Sequence, residues 1–321
     1  MKRILLTGST GFIGSNLRPL LLEKGYEVFN LERFVTGRIG KTLPYEKYTY
    51  FADLNDIYAL TKAVTDVNPQ IVIHLGAMTA VAYSYAHPQE TLETNFLGTV
   101  NLAEVCTKLT TLEQFIYASS AEVYGVSQTE IKRETDGELV SNSPYAVSKL
   151  AAEKYLIYLY KAFGFPITIF RPFNSYGRKE DTWFVIERAI TQMLTSDKCY
   201  LGDPEPVRDF LYVDDQMNAY LYALENPKAI GETFNISSGR GISIGDLAKK
   251  IKELTGFKGE IIWSALPKRA LDIPILIGSN EKIKRVLGVP EPITLEEGLK
   301  RTIAYWKKRV KENETRKNSS R

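Results

Sequence analysis

The chain has 321 residues, 44% of them apolar and 25% charged, enough to bury a substantial core and ordinary for a globular protein. A formal net charge of +3 is too small to indicate nucleic acid as a partner, and no apolar run reaches transmembrane length, so no membrane partner is expected. Two cysteines, Cys106 and Cys199, make no disulfide framework, and two histidines, His74 and His87, offer little to a zinc ion; no metal and a reducing cytoplasm are expected.

The first segment, from Arg3, reads as a strand running straight into a glycine turn, which leaves no room for a signal peptide. In "LLTGSTGFIGSNL" the turn then opens a helix. Gly8, Gly11 and Gly14 there suit a tight turn, close approach of a pyrophosphate and tight helix–strand packing, though a glycine triplet alone is also a common packing device. The second strand candidate, "EVFNL", ends at Glu32, 18 residues past Gly14. An acid at that place accepts hydrogen bonds from a ribose 2′-hydroxyl and repels a 2′-phosphate, which favours NAD over NADP. Arg33 and Arg38 pull the other way, since either reaches toward a phosphate. The third candidate, "YTYFADL", carries Asp53, which suits the adenine amino group and equally suits a helix cap before "IYALTKAV".

Next come the strand "QIVIHLG", the helical "TNFLGTVNLAEVCTKL" and the strand "QFIYASS". At that strand's exit Ser119, Ser120 and Glu122 arrive together; small hydroxyls there are ordinary turn formers, and a glutamate there can simply face water. In the following helix, "SPYAVSKLAAEKYLIYLYKAFG", Tyr145 and Lys149 are four apart and share a face. An ammonium beside a phenol lowers the phenol's pKa and makes it a base for a sugar hydroxyl, although such pairs also occur by chance on amphipathic helices. The strand "ITIFRPF" follows. Strand–helix alternation of this kind predicts an α/β fold, a doubly wound parallel sheet of Rossmann type covered on both faces, with a smaller mixed lobe after it. The expected division is 1–175 for the nucleotide-binding part, 176–310 mainly for the second lobe, with the chain free to cross between them, and 311–321 as a basic, flexible tail. Two late helices open on capping boxes, Ser243 with Asp246 and Thr294 with Glu297.

Together "TGSTGFIG", "VIHLGA", "TNFLGT", "SSAEVYG", "SPYAVSK", "RPFNSYG" and "VRDFLYVDD" resemble the extended short-chain dehydrogenase/reductase family, and within it the NAD-dependent nucleotide-sugar epimerases and dehydratases. The resemblance covers nearly the whole chain. It implies Ser120, Tyr145 and Lys149 as the catalytic set. Along NAD it places Gly8, Gly11, Phe12, Ile13 and Gly14, then Glu32, Asp53 and Leu54, and then Leu75, Ala77 and Asn95. It also implies Asn174 and Arg208 on a nucleotide-sugar diphosphate, with Arg269 as a second phosphate-binding arginine. Relatives pair their two long helices into a homodimer; here these are "ETNFLGTVNLAEVCTKL" and "SPYAVSKLAAEKYLIYLYKAF". The chain departs from the usual pattern at "YGR", Tyr176–Arg178, and at "HLGA", His74–Ala77.

Glu122 bears on the reaction. Relatives resembling dehydratases read Thr-Asp-Glu or Thr-Ser-Glu at the strand exit, 4-epimerases usually lack the glutamate, and glucuronyl-nucleotide decarboxylases share it. All of these oxidise the sugar at C4 first, which acidifies the C5 proton. A dehydratase then needs a base at C5, and Glu122 suits it. The expectation is an NDP-sugar 4,6-dehydratase, ahead of a 4-epimerase, a decarboxylase and a non-catalytic dinucleotide-binding protein.

Overall fold

Fully apolar runs in the first half form strands because both of their faces are covered: Ile4, Leu5 and Leu6, and Ile71, Val72 and Ile73, are all completely buried. The computed structural model describes residues 1–33, 48–127, 129–137, 140–266 and 271–319; Arg38 and Arg269 lie outside them. Strand β1 (Arg3–Thr7) leads into α1 (Phe12–Glu23), β2 (Glu27–Glu32), β3 (Thr49–Phe51), α2 (Ile57–Val67) and β4 (Ile71–His74). Short helices α3 (Val81–Ala86) and α4 (Pro88–Leu92) and a π-helical turn at Glu93–Leu97 precede α5 (Gly98–Cys106). Then come β5 (Gln114–Ala118), β6 (Ile131–Lys132), α6 (Pro144–Phe163) and β7 (Ile167–Pro172).

The second half runs β8 (Asn174–Tyr176), α7 (Val185–Thr195), β9 (Lys198–Tyr200), β10 (Val207–Tyr212), α8 (Val213–Ala223) and β11 (Glu232–Ile236). It continues with β12 (Gly241–Ser243), α9 (Ile244–Thr255), β13 (Glu260–Ile262), β14 (Ile275–Gly278), α10 (Glu281–Leu287) and α11 (Leu295–Ser319). The large sheet has seven parallel strands in the order β11-β7-β5-β4-β1-β2-β3, a Rossmann-type doubly wound arrangement. Alternate residues of one strand feed opposite faces: Ile4 and Leu6 pack into one core, Leu5 into the other with α2, α5 and α6.

Two strands are exchanged between the seven-stranded sheet and the smaller, five-stranded one. Strand β6, from the first half, pairs with β14 in the smaller sheet, and β11, from the second half, completes the large one beside β7. A single boundary at 175 therefore does not divide the sheets. The segment from 311, expected as a tail, is helical as far as Ser319. Ser243 caps α9 through the Asp246 amide at 3.0 Å, and its hydroxyl also donates to the Asp246 carboxylate at 2.9 Å. Thr294 accepts from the Glu297 amide at 3.3 Å.

Helix α6 is fixed at both ends and along its length. Ser143 caps it by accepting from the Ala146 amide, and Gly164 ends it in the left-handed region at φ 70°. In between, Glu153 takes a two-pronged ion pair from Arg171 on β7, at 3.0 and 2.6 Å, with both side chains buried. Removing one partner of such a pair strands a buried charge, so the helix is held in one position against the sheet.

Candidate active site

The seven parallel strands put their carboxyl ends on one edge of the sheet, and the strand order reverses between β1 and β4, where an open α/β sheet has the crevice that binds its ligands. After β1 the chain turns at Gly8, which has φ +69°, and enters α1. A Cβ on Gly14 would lie 2.3 Å from the Gly8 carbonyl oxygen, so only glycine lets the helix come this close to the turn. Gly11 is the N-cap residue and, among the described residues, no side-chain cap bonds the first amides of α1, so its Phe12–Ile13 end suits an anion.

Glu32 is 8% exposed and grips the glycine loop. Its Oε1 accepts from the Ser9 hydroxyl at 2.6 Å and the Thr10 amide at 3.2 Å, and its Oε2 from the Thr10 hydroxyl at 3.0 Å. A carboxylate has about four acceptor positions, so one on Oε2 is left for a ribose hydroxyl. Arg33 pairs with Asp53 at 2.7 Å and lies 3.6 Å from Glu90. Asp56, not Asp53, caps α2, which leaves Asp53 with Arg33 and the Asn55 amide. Leu54 follows it, and Leu75 and Ala77 follow β4. The uncapped helix end, the glycine cradle and the remaining acceptor on Glu32 fit a dinucleotide.

A proton-specified network backs this crevice. Thr7 Oγ1 accepts from the Leu75 and Gly76 amides at 3.1 and 2.8 Å, so its one proton goes to His74 Nδ1 at 2.7 Å. His74 Nε2–H then donates to Thr99 at 3.0 Å, and Thr99 donates to the Asn95 carbonyl at 2.6 Å. Burial, with a smaller push from Lys149, lowers His74 to about 3, which keeps it neutral. Asn95 sits in the π-helical turn. Its amide accepts from the Met78 amide at 2.7 Å and donates to the Met78 carbonyl and the Ser148 hydroxyl, both at 3.0 Å. It therefore braces the segment after β4 against α6.

At the end of β5, Ser120 starts a turn of 3-10 helix (Ala121–Tyr124) by accepting from the Glu122 amide at 3.2 Å. Tyr145 stands in the first turn of α6, close enough to Ser120 and Glu122 for both to act on its phenol. Burial pushes the Tyr145 phenol up to about 12; the bond to Ser120 opposes this and the Glu122 charge adds to it. Lys149 donates to the Ala118 carbonyl at 2.8 Å and stands 4.9 Å from the Tyr117 ring centroid. Burial pushes it down to about 7, against the pull of Glu153. The expected lowering of Tyr145 by Lys149 is thus corrected: the ammonium is aimed at a carbonyl, and burial is the largest influence on both groups.

Asn174 and Arg208 lie on the paired strands β8 and β10, where Asn174 donates to the Asp209 carbonyl at 3.2 Å. Arg208 is already held, donating to the Ile273 carbonyl at 2.7 Å and to Asp272 at 2.9 Å. A diphosphate gripping Arg208 would share it with Asp272. The neighbouring Asp209 is a structural hub that accepts from Ser238, Gly239 and Gly278; burial raises it to about 6 against those bonds. Sequence reasoning missed Asp272, and it missed Asn142, which donates to Glu122 at 3.2 Å. An asparagine just before a Ser-Pro helix start is the only local signal for the latter. No helix among the described residues is long and apolar enough to cross a membrane.

Residues 4–237 match the family model described as the NAD dependent epimerase/dehydratase family. The chain is 32% identical to the GDP-6-deoxy-D-mannose reductase of Pseudomonas aeruginosa, over 97% of this chain and 99% of that one. It is 29% identical to the GDP-mannose 4,6-dehydratase of Yersinia enterocolitica, over 92% and 91%. Among solved structures it is similar to the UDP-glucose 4-epimerase of Thermotoga maritima with UDP-glucose, with a TM-score of 0.89, 32% identity and 96% and 99% coverage.

Proposed function

The chain belongs to the NAD-dependent epimerase/dehydratase family, whose cofactor is NAD, and from that premise we propose that it is a nucleotide-sugar 4,6-dehydratase. The observation that carries the finer reading is Glu122, a carboxylate beside Ser120 and Tyr145 and tied to Asn142. NAD, when bound, takes a hydride from the sugar and later returns it. Tyr145 takes the proton of the C4 hydroxyl as it gives up its own toward the Lys149 amine and that carbon becomes a ketone, with Ser120 bonded to the same oxygen. Lys149, near neutrality, is able to accept that proton. Glu122 then takes the C5 proton and passes a proton to the departing C6 hydroxyl, which leaves as water; C6 receives the hydride, and a solvent-derived proton returned through Glu122 restores C5. Asn174 and Arg208 hold the diphosphate. The similarity to a UDP-glucose 4-epimerase favours a second reading, in which the ketone turns over and hydride returns to its other face.

Incubation with a panel of nucleotide hexoses separates the two. Product lighter by one water supports the dehydratase; product of unchanged mass and altered retention supports the epimerase. No turnover of any nucleotide hexose would sink both.

We also propose a homodimer formed by α5 and α6 about a two-fold axis. Val147, Ala151, Lys154 and Tyr158 line one stripe of α6, with Val147 and Tyr158 45% and 51% exposed, and Phe163 at the helix end is 69% exposed. That much apolar surface on one helix suits a partner helix. The expected solution mass at micromolar concentration is that of two chains, and Tyr158→Glu should reduce it to one. A wild type that runs as a monomer would rule the dimer out.

A further inference from the structure

Asn142 is 3% exposed and its side-chain amide can be oriented in only one way. Its neighbours at hydrogen-bond distance are a carboxylate oxygen, Glu122 Oε2 at 3.2 Å, and a carbonyl oxygen, that of Leu271 at 3.1 Å. Both accept, so both face the NH₂ group, and a flipped amide would set oxygen against oxygen twice. That leaves Oδ1 buried with no hydrogen-bond partner among the described residues. A buried acceptor without a donor is costly, and native proteins tolerate few.

Three contacts hold Asn142 where it is. Its own carbonyl accepts from the Tyr85 hydroxyl at 2.8 Å. Ser143, the next residue, caps α6, which carries Tyr145 and Lys149. Two residues upstream, Val140 bridges to Gly125, where any Cβ would lie 1.6 Å from the Val140 carbonyl oxygen. Glycine at 125 is what brings residues 140–142 against the turn that presents Glu122. Beyond Leu271 comes Asp272, the partner of Arg208. Asn142 thus links the turn that carries Glu122, the carboxylate assigned to the sugar, to the segment that carries Asp272, the partner of the arginine assigned to the diphosphate.

We propose that Asn142 is a sugar-binding and positioning residue: its two N–H groups hold Glu122 and the Leu271 segment in place, and its Oδ1 accepts a hydrogen bond from a hydroxyl of the hexose. This rests on the nucleotide-sugar reading above and adds a residue and a preference to it. A hexose with a hydroxyl at that place is bound, and an analogue lacking it is rejected, because a site built around a hydrogen bond leaves its own group unpaired when the donor is missing.

The test measures binding, in a Tyr145→Phe background saturated with NAD, so that nothing turns over. Nucleotide hexose and the matching nucleoside diphosphate are titrated against the protein with Asn142 intact and with Asn142→Leu; Asn142→Ser serves if the leucine variant does not fold. The expected result is a loss of about ten- to a hundredfold in affinity for the nucleotide hexose, with the nucleoside diphosphate unchanged. One deoxy analogue in a series should bind both proteins equally, and its missing hydroxyl is then the partner of Oδ1. Equal losses for hexose and diphosphate, or no loss, overturn the proposal while leaving the nucleotide-sugar function standing. If the protein with Asn142 intact binds no nucleotide hexose, the function falls and this role falls with it.

Discussion

Tyr145→Phe is expected to slow turnover about 10²–10⁴-fold, the usual share of a positioned acid–base group, with NAD affinity unchanged. The ring is buried in the first turn of α6 and survives the substitution, whereas the phenol oxygen, on which Ser120 and Glu122 act, is removed. With the phenol pushed up to about 12, Tyr145 carries its proton at neutral pH. Donation to a keto oxygen is then its easy direction, and removal of a proton from the C4 hydroxyl requires the neighbouring groups to draw that proton away. Lys149, at about 7, is the group able to do so. Steady-state turnover measured beside an NAD titration checks both halves of the expectation. A variant that keeps near-normal turnover would show that another group moves the proton.

Glu122→Gln is expected to cut dehydration by about 10²–10⁴-fold for the same reason. The substitution keeps size and much of the hydrogen bonding but removes the base, and it turns the Asn142 contact into one between neutral amides. Oxidation at C4 should continue, because Ser120, Tyr145 and Lys149 are untouched. The nucleotide sugar recovered from the variant should therefore be enriched in the 4-keto hexose that still holds its C6 hydroxyl. In heavy water the wild-type product should carry deuterium at C5, from a base that exchanges with solvent. Wild-type product without C5 deuterium and of unchanged mass would take Glu122 out of the chemistry and leave the 4-epimerase reading.

Strands β1, β4, β5 and β7 were legible because parallel strands buried on both faces read as apolar runs, and the glycine spacing located the crevice. Strand β11 was not, since "ETFNI" has no feature marking it as the outer neighbour of β7, and β6 is a two-residue pairing with no local signature. Asp53 could not be separated from a cap until Asp56 was seen to hold that post. The Tyr145–Lys149 spacing was legible, but the direction of their pKa shifts was not: spacing gives proximity, and burial is a property of everything packed around the pair. Asn142 was hidden for another reason. Its contact with Glu122 spans a loop and depends on Gly125 meeting Val140, which no periodicity records.

The exchange of β6 and β11 between the sheets bears on the order in which the chain can fold during synthesis. When residue 175 has been made, six strands of the large sheet exist, but β7 shows one side bare, a row of N–H and C=O groups open to any extended segment. That edge closes only once Ile236 has appeared. In turn β6, made early, has no strand to pair with until β14, up to Gly278, has been added. Neither sheet can be finished before most of the chain is present, so a nascent chain paused between the two halves is the form most exposed to mispairing.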